Sequence, residues 1–104
     1  MIMERYTIYC GLAVGGDHHS SIVDNSRSLA FHLADTHLEE YTAKEGIGRW
    51  NGERERTLVF TYLAANRVDI TKVNAFAHAY KYQNNQDAVL IVEEEVKVRF
   101  YGAE

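Results

Sequence analysis

Three groups of residues have the types and spacing that chemistry needs. The first is the loop Gly15-Gly16-Asp17-His18-His19-Ser20, placed just before a predicted helix. Imidazoles titrate near neutral pH, so His18 or His19 can carry a proton in general acid/base catalysis, and Asp and His also ligate metals. His32, Asp35 and His37 offer further donors. The intervening helix spans roughly 20 Å, so the two sets cannot meet on one ion within a subunit. No metal site is assigned, and solvated loop histidines are the plain reading. The loop's free amides can also hold an anion, with His18 or His19 adding a donor. Asp17 opposes that unless it faces away or caps the helix. Neither the lysine of a Walker loop nor the ordered glycines of a dinucleotide fingerprint is present.

The second group surrounds a predicted hairpin. Trp50 and Tyr41 are expected to form an aromatic wall, with Arg54 or Arg56 orienting the carboxylate or phosphate of an anionic ligand. The plainer reading is a tryptophan plug beside a ribbon of mixed charge. The third is Glu94. Strict alternation from Leu90 to Phe100 turns it inward, where it needs a polar partner or a raised pKa and can serve with His18 or His19 in proton transfer. A bulge across Glu93-Glu94-Glu95 removes that conflict. No serine occupies a nucleophile elbow, and Cys10 reads as a buried thiol inside a strand.

The elements that position these groups follow from periodicity. Glu4–Ala13 alternates as a strand, with Tyr6, Ile8, Cys10 and Leu12 on one face. Ser21–Ala34 is a helix capped by Ser20 or Ser21, with an inward stripe of Ile22, Ser26, Leu29 or Ala30, and Leu33. Strand character resumes at Glu39–Thr42 and continues as a bulged edge near Gly46 and Gly48. Asn51-Gly52 turns it into a strand over Glu53–Ala64. Asp69 caps a second helix, stapled by Val68 on Val73, with Val73, Phe76, Ala77 and Tyr80 inward and an exit at Asn84-Asn85. The last strand, Ala88–Tyr101, organises the sheet, with Leu90, Val92, Val96, Val98 and Phe100 inward. The order β-α-β-β-α-β predicts an α+β, ferredoxin-like fold. Residues 1–104 form one domain of four antiparallel strands with two helices on one face. The other face carries Tyr9, Val59, Leu63, Val89 and Ile91 among Thr7, Thr61, Glu93, Glu95, Lys97 and Arg99. That much apolar surface predicts a homodimer through the outer sheet.

The element order resembles the ferredoxin-like superfold, including dimeric α/β-barrel proteins built from two such sheets. YTIYCGL, GIGRWNG and AYKYQNNQDAVLIV resemble segments of a small bacterial domain family that carries no catalytic signature. The barrel resemblance implies a cavity between sheet and helices as the place for a ligand.

Composition narrows the rest. Fifteen acids against eleven bases leave a formal charge of -4, which disfavours phosphate-neutralising nucleic-acid binding. Tyr6, Tyr9, Phe60 and Tyr62 nonetheless offer stacking surfaces. One cysteine rules out an internal disulfide, and no apolar run reaches membrane-spanning length. No secretory leader pattern opens the chain, so a cytoplasmic location is expected. The leading expectation is a ligand-binding or protein-interaction domain with no cofactor. The rivals are a cofactor-independent enzyme acting on a small acidic substrate and a viral or defence-related decoy that binds another protein.

Overall fold

The computed structural model describes residues 1–102. Its elements are β1 (Ile2–Gly11), α1 (Ser20–His37), β2 (Thr42–Trp50), β3 (Glu53–Ala64), α2 (Arg67–Gln83) and β4 (Leu90–Lys97). The sheet order is β2-β3-β1-β4, antiparallel throughout, with both helices on one face. This is the ferredoxin-like arrangement expected from the element order.

The core lies between the helices and the two central strands. Tyr6, Ile8, Cys10 and Leu12 from β1 and its exit meet Leu58, Phe60, Tyr62 and Ala64 from β3. Helix α1 contributes Val23, Ser26, Ala30, Leu33 and Ala34, so Val23 rather than Ile22 leads its buried stripe. Helix α2 contributes Val73, Phe76 and Tyr80. Cys10 is buried, and desolvation pushes its thiol up to about 12, which makes it a packing residue at neutral pH.

Both helix starts differ from expectation. His19 is the N-cap of α1 and makes no side-chain cap bond, so neither Ser20 nor Ser21 caps the helix. In α2 the cap is Asn66, whose Oδ1 accepts the Asp69 amide at 3.0 Å, while Asp69 reaches back to the Ala65 amide at 2.8 Å. Asp69 therefore sits three residues inside the helix, as the acidic half of the box. Val68 is largely exposed and staples nothing. Strand β2 pairs with β3 without a break from Thr42↔Thr61 to Trp50↔Glu53, so the bulge expected near its glycines is absent. The Asn51-Gly52 turn is as read, with both residues at positive φ.

The largest correction concerns β4. Its register places Ile91 beside Ile8 and Glu93 beside Tyr6, so Val89, Ile91, Glu93 and Glu95 lie on the helix side. Leu90, Val92, Glu94 and Val96 share the outer face with Tyr9, Thr7, Arg5 and Met3, opposite to the predicted phase. The helices pack chiefly over β1 and β3, and no residue of β4 is buried. An edge strand left uncovered tolerates its glutamates on either side. The outer face is consequently more apolar than predicted by one residue, since Leu90, Val92, Glu94 and Val96 replace Val89, Ile91, Glu93 and Glu95.

Candidate functional site

A cleft of about 530 Å³ opens where the end of β1, the β2–β3 turn and the segment before β4 converge. Its aromatic wall is Trp50 and Tyr9, whose rings meet edge to face at 6.3 Å between centroids. Trp50 folds back across the sheet, with its indole nitrogen 3.5 Å from Thr57 Oγ1. That covers Thr57, which is buried although it belongs to the outer face. The fold is allowed because residue 48 is glycine: a methyl there would sit 2.5 Å from the indole nitrogen.

Glu55 supplies the polar centre of the cleft. Its Oε2 accepts the Ala13 amide at 3.3 Å, and the described residues give Oε1 no hydrogen bond. Burial lifts this carboxyl above the ordinary range, against the Ala13 amide and the charge of His18, which both pull it down. Here too a strand glycine makes the room. A methyl on Gly11 would lie 2.9 Å from the Glu55 carboxyl carbon and 3.1 Å from Gln86 Oε1.

A buried polar network fixes the floor. The Tyr80 hydroxyl donates to the Gly11 carbonyl, and Asn84 Nδ2 donates to Tyr80 at 2.9 Å and to Ser26 Oγ at 3.0 Å. Gln86 Nε2 bridges the Ala13 and Asn84 carbonyls at 2.8 and 3.2 Å. Both helices are thereby tied to the strand end that carries Glu55's amide partner. Among the described residues, no buried side-chain nitrogen or oxygen lacks a partner.

The residues singled out from sequence scatter around this geometry. Trp50 and His18 line the cleft. His19 is exposed and pairs with Asp17 at 2.7 Å, where the His19 amide and ring together hold the carboxyl below its ordinary range. Glu94 lies in the open on the outer face, bonded to Arg5 at 2.8 Å. Tyr41 and Trp50 flank opposite ends of β2, about 30 Å apart along the strand, so the expected aromatic wall does not form. Tyr41 packs on Phe60 instead, and its hydroxyl bonds Asp35. Arg54 is exposed and Arg56 pairs with Glu45 at 3.5 Å; neither lines the cleft. Of the four stacking candidates, Tyr6, Phe60 and Tyr62 are buried in the core. Tyr9, the fourth, lines the cleft, whereas Glu55 and Gly11 beside it were missed as site residues. The available signal was a glycine inside a strand, which often marks a close approach by another group.

No family model matches the sequence, and no curated protein matches it. Solved structures share the fold. A phage SAM lyase in complex with S-methyl-5′-thioadenosine matches with a TM-score of 0.60 and 19% identity, over 89% of this chain and 81% of that one. The phage SAM lyase in its apo state matches with a TM-score of 0.63 and 18% identity, over 94% and 91%. CPII, a nitrogen regulatory PII-like protein from Thiomonas intermedia K12 bound to ADP, AMP and bicarbonate, matches with a TM-score of 0.53 and 10% identity, over 96% and 98%. At these identities the likeness is one of fold. The fold thus serves both an enzyme and a regulatory protein, and the resemblance to α/β-barrel proteins and to a bacterial domain family goes no further than this fold.

Proposed function

We propose that this chain is a small-molecule-binding domain whose cleft takes an adenosine-type ligand. The observation that carries the reading is Glu55: a half-buried carboxyl with one oxygen unused, set beside the Tyr9–Trp50 pair. Keeping a carboxylate partly out of water is costly unless a partner arrives. An adenine ring has a flat face for Trp50 and an exocyclic amine for the carboxylate. Adenosine compounds are also what the fold neighbours bind, as S-methyl-5′-thioadenosine in one and as ADP and AMP in the other. Trp50 is the chain's single tryptophan, so its emission reports on the cleft directly. Titration with adenosine is expected to quench that emission to saturation. An unchanged spectrum at millimolar adenosine would remove the reading. The same carboxyl can act as a general acid or base on a bound ligand. Chromatography of the ligand after incubation separates binding from turnover.

The outer face supports a homodimer as part of this proposal. Val59, Tyr9 and Leu90 form an apolar row across three strands, next to Val92 and continuous with the cleft. A two-fold axis running along the strands between β1 and β4 sets Arg5 against the partner's Glu94 and Tyr9 against the partner's Leu90. Facing sheets lie about 10 Å apart, close enough for the second copy to roof the cleft. Light scattering after size-exclusion chromatography is expected to give twice the chain mass for the wild type. Val92→Asp, on the exposed edge of that face, should give a folded monomer. A monomeric wild type at about 100 µM, where a Kd of about 1 µM would already hold the dimer together, contradicts it.

A further inference from the structure

We infer that the cleft selects against phosphate and takes a ligand bearing a positive charge. This rests on the cleft being the binding site. Its lining includes Glu53, Glu55 and Asp87 but neither lysine nor arginine, and His18 is its one group able to turn cationic. The guanidiniums of the hairpin lie on the helix side of the sheet, where Arg49 and Arg54 stand opposite each other in the register. Arg27 holds Glu45 at 2.7 Å and Asp24 at 2.8 Å, and Arg56 leans on the same Glu45.

The backbone offers a phosphate no better welcome. Val14 and Asp17 close a tight turn over Gly15 and Gly16, and Asp17 Oδ1 then accepts the His19 amide at 3.0 Å and faces its ring nitrogen at 2.7 Å. The chain's own carboxylate thus takes the amide just before α1, and its charge opposes an anion at the start of that helix. On the opposite wall, Glu55 Oε1 and Gln86 Oε1 both present acceptors toward Gly11. The polar surface therefore asks for donors, and the Tyr9–Trp50 wall is itself attractive to a cation near its rings. An ammonium or onium group attached to a flat heteroaromatic satisfies both. The anionic ligand expected from Arg54 and Arg56 satisfies neither.

Three probes that share one base and differ in charge test this on the full chain. Adenosine, 5′-amino-5′-deoxyadenosine and AMP are titrated at about pH 8, with Trp50 emission as the readout. The expected order is amine tighter than adenosine and adenosine tighter than AMP, with about tenfold or more between the extremes. Glu55→Gln should keep the Ala13 contact through its amide oxygen and bring the amine to the level of adenosine. AMP binding as tightly as adenosine, or the amine keeping its advantage in Glu55→Gln, overturns the inference. If none of the three binds, the adenosine reading fails, and benzylamine against phenyl phosphate carries the charge test instead. A shift of the Trp50 indole proton by benzylamine, and a smaller one by phenyl phosphate, sustains the selectivity. Equal shifts, or none, refute it.

Discussion

Replacing Phe60 with alanine is expected to remove about 3–5 kcal/mol of stability. The ring is wholly buried on the inner face of β3. It meets Phe31 of α1 at 5.7 Å, Phe76 of α2 at 5.2 Å and Tyr41 before β2 at 5.2 Å, each edge to face. Such aromatic pairs add about 0.5–1.5 kcal/mol apiece beyond the area they bury. One substitution therefore loosens both helices and the entry to the edge strand together. A domain of this size has about 5–15 kcal/mol in all, so the loss is a large share of the total. Urea unfolding should show a lower midpoint with an unchanged slope. A loss below about 1.5 kcal/mol would mean that the three neighbouring rings close over the gap, and that Phe60 is not the hinge of the core.

Legibility of this chain tracked burial. The inward face of β1 and the two limits of β3 were readable because both strands lie under the helices, and alternation there is enforced by packing. For β4 the run Val89-Leu90-Ile91-Val92 is apolar on both faces, and Glu93-Glu94-Glu95 is charged on both. Either phase turns at least one acid toward the helices. Pairing with β1 decides the matter, and no local pattern encodes it. A similar ambiguity moved the α2 cap, since Asn66 and Asp69 are both good capping residues and the box uses each in a different role. The site was harder still. Glu55, Gly11 and Trp50 come from three strands and meet only when β1 lies beside β3 and Trp50 folds over Gly48. Alternation correctly puts Gly11 on the outer face, but which acid would occupy the space above it depends on cross-strand register.

Gly11→Ala is expected to take the carboxyl out of the cleft while leaving the fold intact. Gly11 is not among the glycines at positive φ, so alanine is compatible with its backbone. Alanine in a strand gains about 0.5–1 kcal/mol over glycine, which roughly offsets the lost Ala13–Glu55 hydrogen bond of about 1 kcal/mol. The new methyl instead occupies the volume of the Glu55 carboxyl, the far end of a flexible side chain that can swing toward solvent. A ligand that donates to that carboxylate then loses a charge-assisted bond worth about 1.5–3 kcal/mol, or about 10- to 100-fold in affinity. Urea denaturation should give a stability within about 1 kcal/mol of wild type, well inside the usual range for substitutions without a core mechanism. Titration of the same sample should show the affinity loss. Full affinity in Gly11→Ala would show that Glu55 is not the anchor, and the strand glycine would then need another cause. Collapse of the fold would show that the methyl meets something less yielding than a side chain, with Gln86 and its two carbonyl bonds the first candidate. The two outcomes separate a glycine kept for a binding site from one kept for the sheet.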